Sequence, residues 1–170
     1  MSNGEGWKIE VLTQRHDRES FECGEPALNE FLRKFARQNQ DREISRTFVA
    51  VRGAAPKVLG YYTISAHSLE ASRIPPEMAR RFPRYPLPVV HLGRQATDRC
   101  VQGQGLGEIL LWDALKKAVL ASDLIGIHAM EVLAKTPEAK RFYEKYGFVP
   151  IPEDPLHLIL PLATARKLIK

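Results

Sequence analysis

The run Gln102-Gly103-Gln104-Gly105-Leu106-Gly107, "QGQGLG", lies between "VVHLGRQATDRC" and "EILLWDALKKAVL" and constrains the fold more than any other stretch. Three glycines at alternate positions exchange side chains for backbone freedom, which suits a tight turn or a close approach of main chain to a ligand. The stretch before the run reads as a strand, and the apolar stretch after it as a buried helix. At a strand-to-helix junction the N–H groups of the loop and of the first helical turn converge on one point, and with the helix dipole they bind phosphate. No Lys-Ser/Thr pair follows the last glycine, which excludes a Walker A loop. No acidic residue closes a second parallel strand, as a dinucleotide fold requires. The competing reading is a glycine-rich connection with no ligand.

The flanking segments set this junction in an α/β domain. In "GEPALNEFLRKFARQ", Leu28, Phe31, Leu32 and Phe35 fall at i, i+3, i+4 and i+7, and Pro26 suits a first helical turn, so an amphipathic helix with Arg33, Lys34 and Arg37 outside is expected. "SRTFVAVRG" and "KVLGYYTISAHSLE" read as a hairpin of two strands, and the proline-rich "RIPPEMARRFPRYPLP" as a loop with at most a short helix. "IGIHAMEVLA" is a strand. "TPEAKRFYEKY" is a short helix opened by Thr136-Pro137 and closed at Gly147, and "LHLILPL" is a last strand. The expected order is helix, antiparallel strands, then β-loop-α-β-α-β, giving a mixed sheet.

With 170 residues, one domain covering 1–170 is the expectation. No apolar stretch approaches the roughly 18 residues of a membrane span, and "MSNGEGWKIE" lacks the regions of a signal peptide, so the expected location is cytoplasmic. Cys23 and Cys100 have no metal-ligand spacing and read as reduced thiols. The five histidines (His16, His67, His91, His128, His157) show no HxxxH or HxH pattern, and no metal site is expected. The formal net charge is +5, and the basic residues cluster. Arg33, Lys34, Arg37, Arg42 and Arg46 form one group and Arg73, Arg80, Arg81 and Arg84 another. Such patches suit a polyanion or, equally, a solvated face.

Gln102-x-x-Gly105-x-Gly107 resembles the acetyl-CoA pyrophosphate signature Q/R-x-x-G-x-G/A of the GCN5-related N-acetyltransferases (GNAT), and "EAKRFYEKYGF" resembles their helix-plus-turn A-x-x-F-Y-x-x-x-G-F. The stretches "FECGEPALNEFLRKFARQNQ", "GYYTISA", "YPLPVVHLGRQATD" and "CVQGQGLGEILLWDAL" further resemble the acetyltransferase toxins of bacterial toxin-antitoxin pairs. Gln95 and Thr97 depart from the larger aliphatics of that group's "GRLAVD", and His91 from an aliphatic residue. The resemblance implies a GNAT fold, a mixed, mostly antiparallel sheet flanked by helices. In it acetyl-CoA lies between two splayed parallel strands, here those ending in "GRQATD" and "AMEVLA".

It also implies roles. Backbone around Gln95, Ala96 and Thr97 pairs with the pantetheine arm and polarises the thioester carbonyl. Gln102, Gly103, Gln104, Gly105, Leu106 and Gly107 cradle the pyrophosphate, and Tyr143 protonates the leaving sulfur. Helical spacing puts Phe142 and Tyr146 on one face, expected to be the core, and Tyr143 elsewhere. His67 reads as an acceptor-site residue or as a structural or surface histidine. The toxin group acetylates the α-amine of aminoacyl-tRNA, which stops translation. It is restrained by a ribbon-helix-helix antitoxin, works as a homodimer and meets operator DNA through the antitoxin complex. Residues assigned to tRNA on that reading are Arg33, Lys34, Arg37, Arg80, Arg81 and Arg94. Two alternatives remain: an acetyltransferase for a small amine, a protein N-terminus or a lysine, and a non-catalytic module that binds antitoxin and DNA.

Overall fold

The computed structural model describes residues 6–80 and 86–169. The chain runs β1 (Trp7–Val11), α1 (Pro26–Glu30), a π-helical turn (Phe31–Phe35), α2 (Ala36–Asp41), β2 (Arg46–Arg52) and β3 (Gly60–Leu69). A 3-10 turn (Ala71–Arg73), α3 (Pro76–Ala79), β4 (Leu87–Thr97), a second 3-10 turn (Arg99–Val101) and α4 (Leu106–Ser122) follow. The chain ends with β5 (Ala129–Leu133), α5 (Pro137–Lys145), β6 (Val149–Ile151), β7 (Asp154–Pro161) and α6 (Leu162–Leu168). The strands make a mixed sheet in the order β1-β2-β3-β4-β5-β7-β6. β4 pairs with β5 in parallel, from Val89↔Ala129 to Leu92↔Val132, and β4 continues past this pairing to Thr97. The pairs β1 with β2, β2 with β3, β5 with β7 and β6 with β7 are antiparallel. This is the α/β GNAT architecture that the sequence implies. No helix among the described residues is long and apolar enough to cross a membrane.

Contacts gather into two compact units, Met1–Ser65 with Gly93–Ala114 and Ala66–Leu92 with Leu115–Lys170. In the first, consecutive tyrosines on β3 serve opposite faces of the sheet, as the two-residue strand period requires. Tyr61 joins Phe21, Leu28, Phe31, Leu32, Val49 and Val51 in one core, and its hydroxyl donates to the Leu28 carbonyl at 2.8 Å. Tyr62 stacks on Phe48 and donates to the Asp113 carboxylate of α4 at 2.6 Å. Burial, with the Asp113 charge beside it, pushes the Tyr62 phenol far above its ordinary pKa, so the proton stays in that hydrogen bond. Gly60, which opens β3, has its own packing reason. A Cβ there would lie 3.0 Å from both Leu106 Cδ2 and Leu110 Cδ1, so the glycine lets α4 sit close against the strand. In the second unit, Leu69, Ile74, Leu87, Val89, Ala129, Ile151 and Ile159 form the core.

Several elements differ from the sequence reading. Leu28, Phe31 and Leu32 are buried as expected, but Phe35 is 44% exposed. The Ala36 N–H donates to the Phe31 carbonyl, a π-type bond that inserts one extra residue and turns Phe35 off the apolar stripe. β1 and β6 are short and half-buried, and α6 packs only Leu162 and Ala165 inward, which leaves little periodic signal. β5 starts at Ala129 rather than at Ile125, because Ile125 is exposed and Gly126 has no side chain to pack. β3 starts at Gly60 because Lys57 instead bridges to Asp17. Arg81 and Arg84 lie outside the described residues.

The two tyrosine hydroxyls satisfy partners on opposite faces, so their losses should add. Tyr61→Phe removes a buried hydrogen bond to a carbonyl that still accepts from the Phe31 N–H and is expected to cost about 0.5–1.5 kcal/mol, and Tyr62→Phe, which removes a bond to a charged group, about 1.5–3 kcal/mol. Urea unfolding of the single and double variants checks this, with additivity expected within about 0.5 kcal/mol.

Candidate functional site

The glycine run is held in place before it begins. Asp98, at the end of β4, is buried, and its carboxylate caps the following 3-10 turn by accepting from the Cys100 N–H at 3.0 Å. Its other oxygen accepts from the Glu22 N–H at 2.9 Å. Burial opposes the charge on Asp98, but the hydrogen bonds from Cys100 and Glu22 outweigh it and hold the carboxyl below its ordinary range. The Glu22 carbonyl in turn accepts from the Arg99 N–H at 2.8 Å. The Gln102 side chain closes the structure: its Nε2 donates to the Thr97 carbonyl at 3.0 Å and to the Cys23 carbonyl at 2.9 Å. Gln95 ties β4 to the first turn of α4 by donating from Nε2 to the Gly107 carbonyl at 2.7 Å.

Within this frame Gly103 has φ +83° and Gly105 φ +89°, the left-handed region that favours glycine. A Cβ built at either position meets no atom within 4 Å, so both glycines face open space that a side chain would fill. α4 begins at Leu106, and the first four N–H groups of an α-helix have no intrahelical acceptor. Left-handed glycines, open space and a 17-residue helix starting at the loop fit a pyrophosphate cradle. The loop's side chains serve its shape. Gln102 and Gln95 spend their amides on backbone carbonyls, and Gln104 Nε2 lies 3.4 Å from the Cys100 carbonyl.

Tyr143 belongs to the other unit, on α5. Thr136 caps this helix through its hydroxyl, which accepts from the Ala139 N–H at 3.1 Å, and Pro137 opens it. Gly147, with φ +98°, ends it as expected. The face assignment needs correction: Tyr143 is the buried residue of the helix, whereas Phe142 and Tyr146 are half-buried. The Tyr143 ring packs edge-on to Phe148, with centroids 5.5 Å apart, because the turn at Gly147 folds Phe148 back under the helix. Burial raises the Tyr143 phenol well above its ordinary pKa, so it is protonated throughout the neutral range.

The basic residues separate into two kinds. Lys34 is exposed and pairs with Glu30 across one turn at 3.5 Å, and Arg37 is half-buried. Arg33 lies half-buried with Nη1 3.4 Å from the Phe21 carbonyl, a structural placement. Arg94 of β4 stacks its guanidinium 3.8 Å from the Phe31 ring centroid and so joins the basic helical surface. Arg80 is exposed and Arg81 lies outside the described residues. Sequence reasoning missed Asp98 and Glu22, which shape the loop, and Gly60, which seats α4 against β3, because each acts through a partner distant in sequence. His67 lies in a cluster around Glu131, treated below.

A family model for the acetyltransferase (GNAT) domain matches residues 27–157. The chain belongs to the GNAT acetyltransferases. It is similar to the "tRNA-acetylating toxin" of Mycobacterium tuberculosis, 41% identical over 158 residues that span 93% of each chain. Among solved structures it resembles a tyrosine-to-phenylalanine mutant of KacT, with TM-score 0.91, 34% identity and coverage of 96% of this chain and 99% of that one. It also resembles AtaT complexed with acetyl-methionyl-tRNAfMet, with TM-score 0.89, 34% identity and coverage of 96% and 99%. AtaT has further been solved as AtaTR bound with AcCoA (TM-score 0.86, 34% identity, coverage of 97% and 99%) and, with its antitoxin AtaR, bound to DNA (TM-score 0.80, 34% identity, coverage of 96% and 99%). This GNAT acetyltransferase is therefore related to the toxins of toxin-antitoxin systems.

Gly105→Val places a branched side chain in the cradle and should abolish acetyl-CoA binding in calorimetry, while circular dichroism still reports a folded protein. Acetyl-CoA affinity equal to wild type would remove the loop from the cofactor site.

Proposed function

We propose that this chain is an acetyl-CoA-dependent toxin that acetylates the α-amino group of an aminoacyl-tRNA and thereby blocks translation. On this reading it is a single domain over residues 1–170, acts as a homodimer in the cytoplasm and is neutralised by a ribbon-helix-helix antitoxin, through which it meets operator DNA. The observation that carries the reading is the near full-length likeness to a tRNA-acetylating toxin, joined to a glycine cradle that suits a pyrophosphate.

Bound acetyl-CoA supplies a thioester whose carbonyl carbon accepts the amine as the carbon–sulfur bond breaks. Gly103, Gly105 and the first turn of α4 hold the pyrophosphate through backbone N–H groups. The backbone at Gln95, Ala96 and Thr97 aligns the pantetheine arm, kept in register with α4 by the Gln95 amide. Tyr143 donates its phenolic proton to the departing sulfur, and the proton lost by the amine goes to water. Lys34, Arg37 and Arg94 offer cations to tRNA phosphates, and Arg33, Arg80 and Arg81 belong to the same assignment.

Tyr143→Phe removes one oxygen from a ring that otherwise packs identically, so it separates proton donation from volume. With both ligands saturating, single-turnover acetyl transfer to aminoacyl-tRNA should fall by ~10²–10⁴-fold, and expression should no longer arrest growth. A rate within about threefold of wild type, far short of the loss expected for an acid, would make Tyr143 structural. Transfer to lysine or to small amines at rates equal to aminoacyl-tRNA would favour the alternative acetyltransferase.

Reversing Lys34, Arg37 and Arg94 to glutamate should weaken tRNA binding and flatten its salt dependence, with acetyl-CoA affinity retained. Filter binding across a salt series reads this out. An unchanged slope would assign the surface to another partner or to solvent.

A further inference from the structure

One face of the sheet in the unit Ala66–Leu92 with Leu115–Lys170 changes from apolar to ionisable over a two-residue step. Leu69, Val89, Ala129 and Ile159 lie in its apolar cluster. Two residues along each strand the side chains return to the same face, and there stand His67 on β3, His91 on β4, Glu131 on β5 and His157 on β7. His91 and Glu131 are register partners on the parallel pair.

Glu131 is the centre of this group. Its carboxylate is 1% exposed, and Oε1 lies 2.8 Å from His157 Nε2. Arg73 Nη2 lies 3.4 Å from His157 Nδ1. Arginine only donates, so His157 Nδ1 is the acceptor, and Nε2 carries the proton given to Glu131. That bond fixes the carboxylate and leaves Oε2 for other partners. Oε2 faces His91 Nδ1 at 2.8 Å and His67 Nδ1 in a close contact. The ring centroids of His67 and His91 are 5.4 Å apart, and the ligand atoms of His67, His91 and Glu131 all lie within 4.8 Å of one another.

We propose that His67, His91 and Glu131 bind a divalent transition-metal ion, with His157 as the outer partner that orients the carboxylate. Two imidazole nitrogens and one carboxylate oxygen converging on a point are the donor set of open Zn²⁺ sites, in which three protein ligands leave a position for water. His67 is 57% exposed, so an ion has an entry path and an outward coordination position. Two Nδ1 atoms crowd one carboxylate oxygen, and a single cation satisfies all three ligand atoms. The ion also joins β3, β4 and β5, neighbours in the sheet, and so stabilises the fold. This departs from the expectation drawn from histidine spacing, which registers ligands on one helix or turn. Here they come from three strands, at positions 67, 91 and 131.

The test uses untagged protein. Titration calorimetry with ZnCl₂ should give about one ion per chain with a rise in Tm, and CoCl₂ should give visible absorption bands of a site with nitrogen and oxygen ligands. His67→Ala and His91→Leu should each weaken Zn²⁺ binding by at least about tenfold and remove the Co²⁺ bands, and His157→Gln should weaken it by about 10–100-fold. His67 is exposed, so its replacement leaves the packed core intact. Cys23→Ser and Cys100→Ser should keep wild-type affinity. No Zn²⁺ binding by the folded wild-type chain overturns the proposal. So does affinity unchanged in His67→Ala, or lost in a cysteine variant.

Discussion

Asp98 keeps a charge in a buried position because two backbone N–H groups, those of Cys100 and Glu22, donate to it. A buried carboxylate is costly unless its oxygens are satisfied, and satisfied it fixes whatever supplies the donors. One donor comes from the turn that leads into the glycine run, and the other from a segment 76 residues earlier in sequence. The loop is thus anchored on both sides before its own flexible residues begin. This allows Gly103 and Gly105 to lack side chains and still present one backbone conformation. Glycine freedom alone would give a mobile loop, and ligand binding would then include the entropy of ordering it. The amides of Gln95 and Gln102 act in the same sense, since both are spent on backbone carbonyls.

Glu131 follows the same rule with a different outcome. Burial opposes its charge, yet hydrogen bonds from His157 and His91 outweigh that cost and hold it below the usual carboxylate range. Asp98 receives backbone donors that cannot leave. Glu131 receives imidazoles, whose ring nitrogens belong to a residue type that also serves as a metal ligand. The first arrangement shapes a loop, and the second retains chemistry of its own.

The local parts of the fold were legible in the sequence. The cap at Thr136, the stop at Gly147 and the strand-loop-helix around residues 102–107 rest on neighbours within a few positions. Failures came where a distant or cumulative effect decided. Phe35 follows the helical period in sequence, but one π-type turn moves it to solvent. Tyr143 lies off the apolar stripe of its own helix, but Phe148 comes back after the turn and covers it. The roles of Glu22, Asp98 and Glu131 depend on pairings across strands and loops, and no spacing rule reaches them. The proposed site divides the same way: the glycine cradle was visible in sequence, while the residues that stiffen it were not.

The buried phenol of Tyr143 bears on which amines this chemistry suits. On the proposed reading Tyr143, held in the protonated state by burial, serves as acid and not as base, so without a second group as base the incoming amine must arrive already neutral. At pH 7 roughly one in seven α-amines with a pKa near 7.8 is neutral, against about one in 2,500 lysine side chains at 10.4. An ester at the adjacent carbon, as in an aminoacyl-tRNA, withdraws electron density and raises the neutral fraction further. On that reading, an acetyltransferase with a protonated phenol as its acid and no dedicated base discriminates between amines by their own ionisation. In neutral fraction alone that bias amounts to a few hundredfold for an α-amine over lysine, part of which the higher intrinsic nucleophilicity of the more basic amine offsets. On the same proposed reading, recognition of the polyanionic remainder of the substrate, through cations such as Lys34, Arg37 and Arg94, supplies affinity and position, not activation.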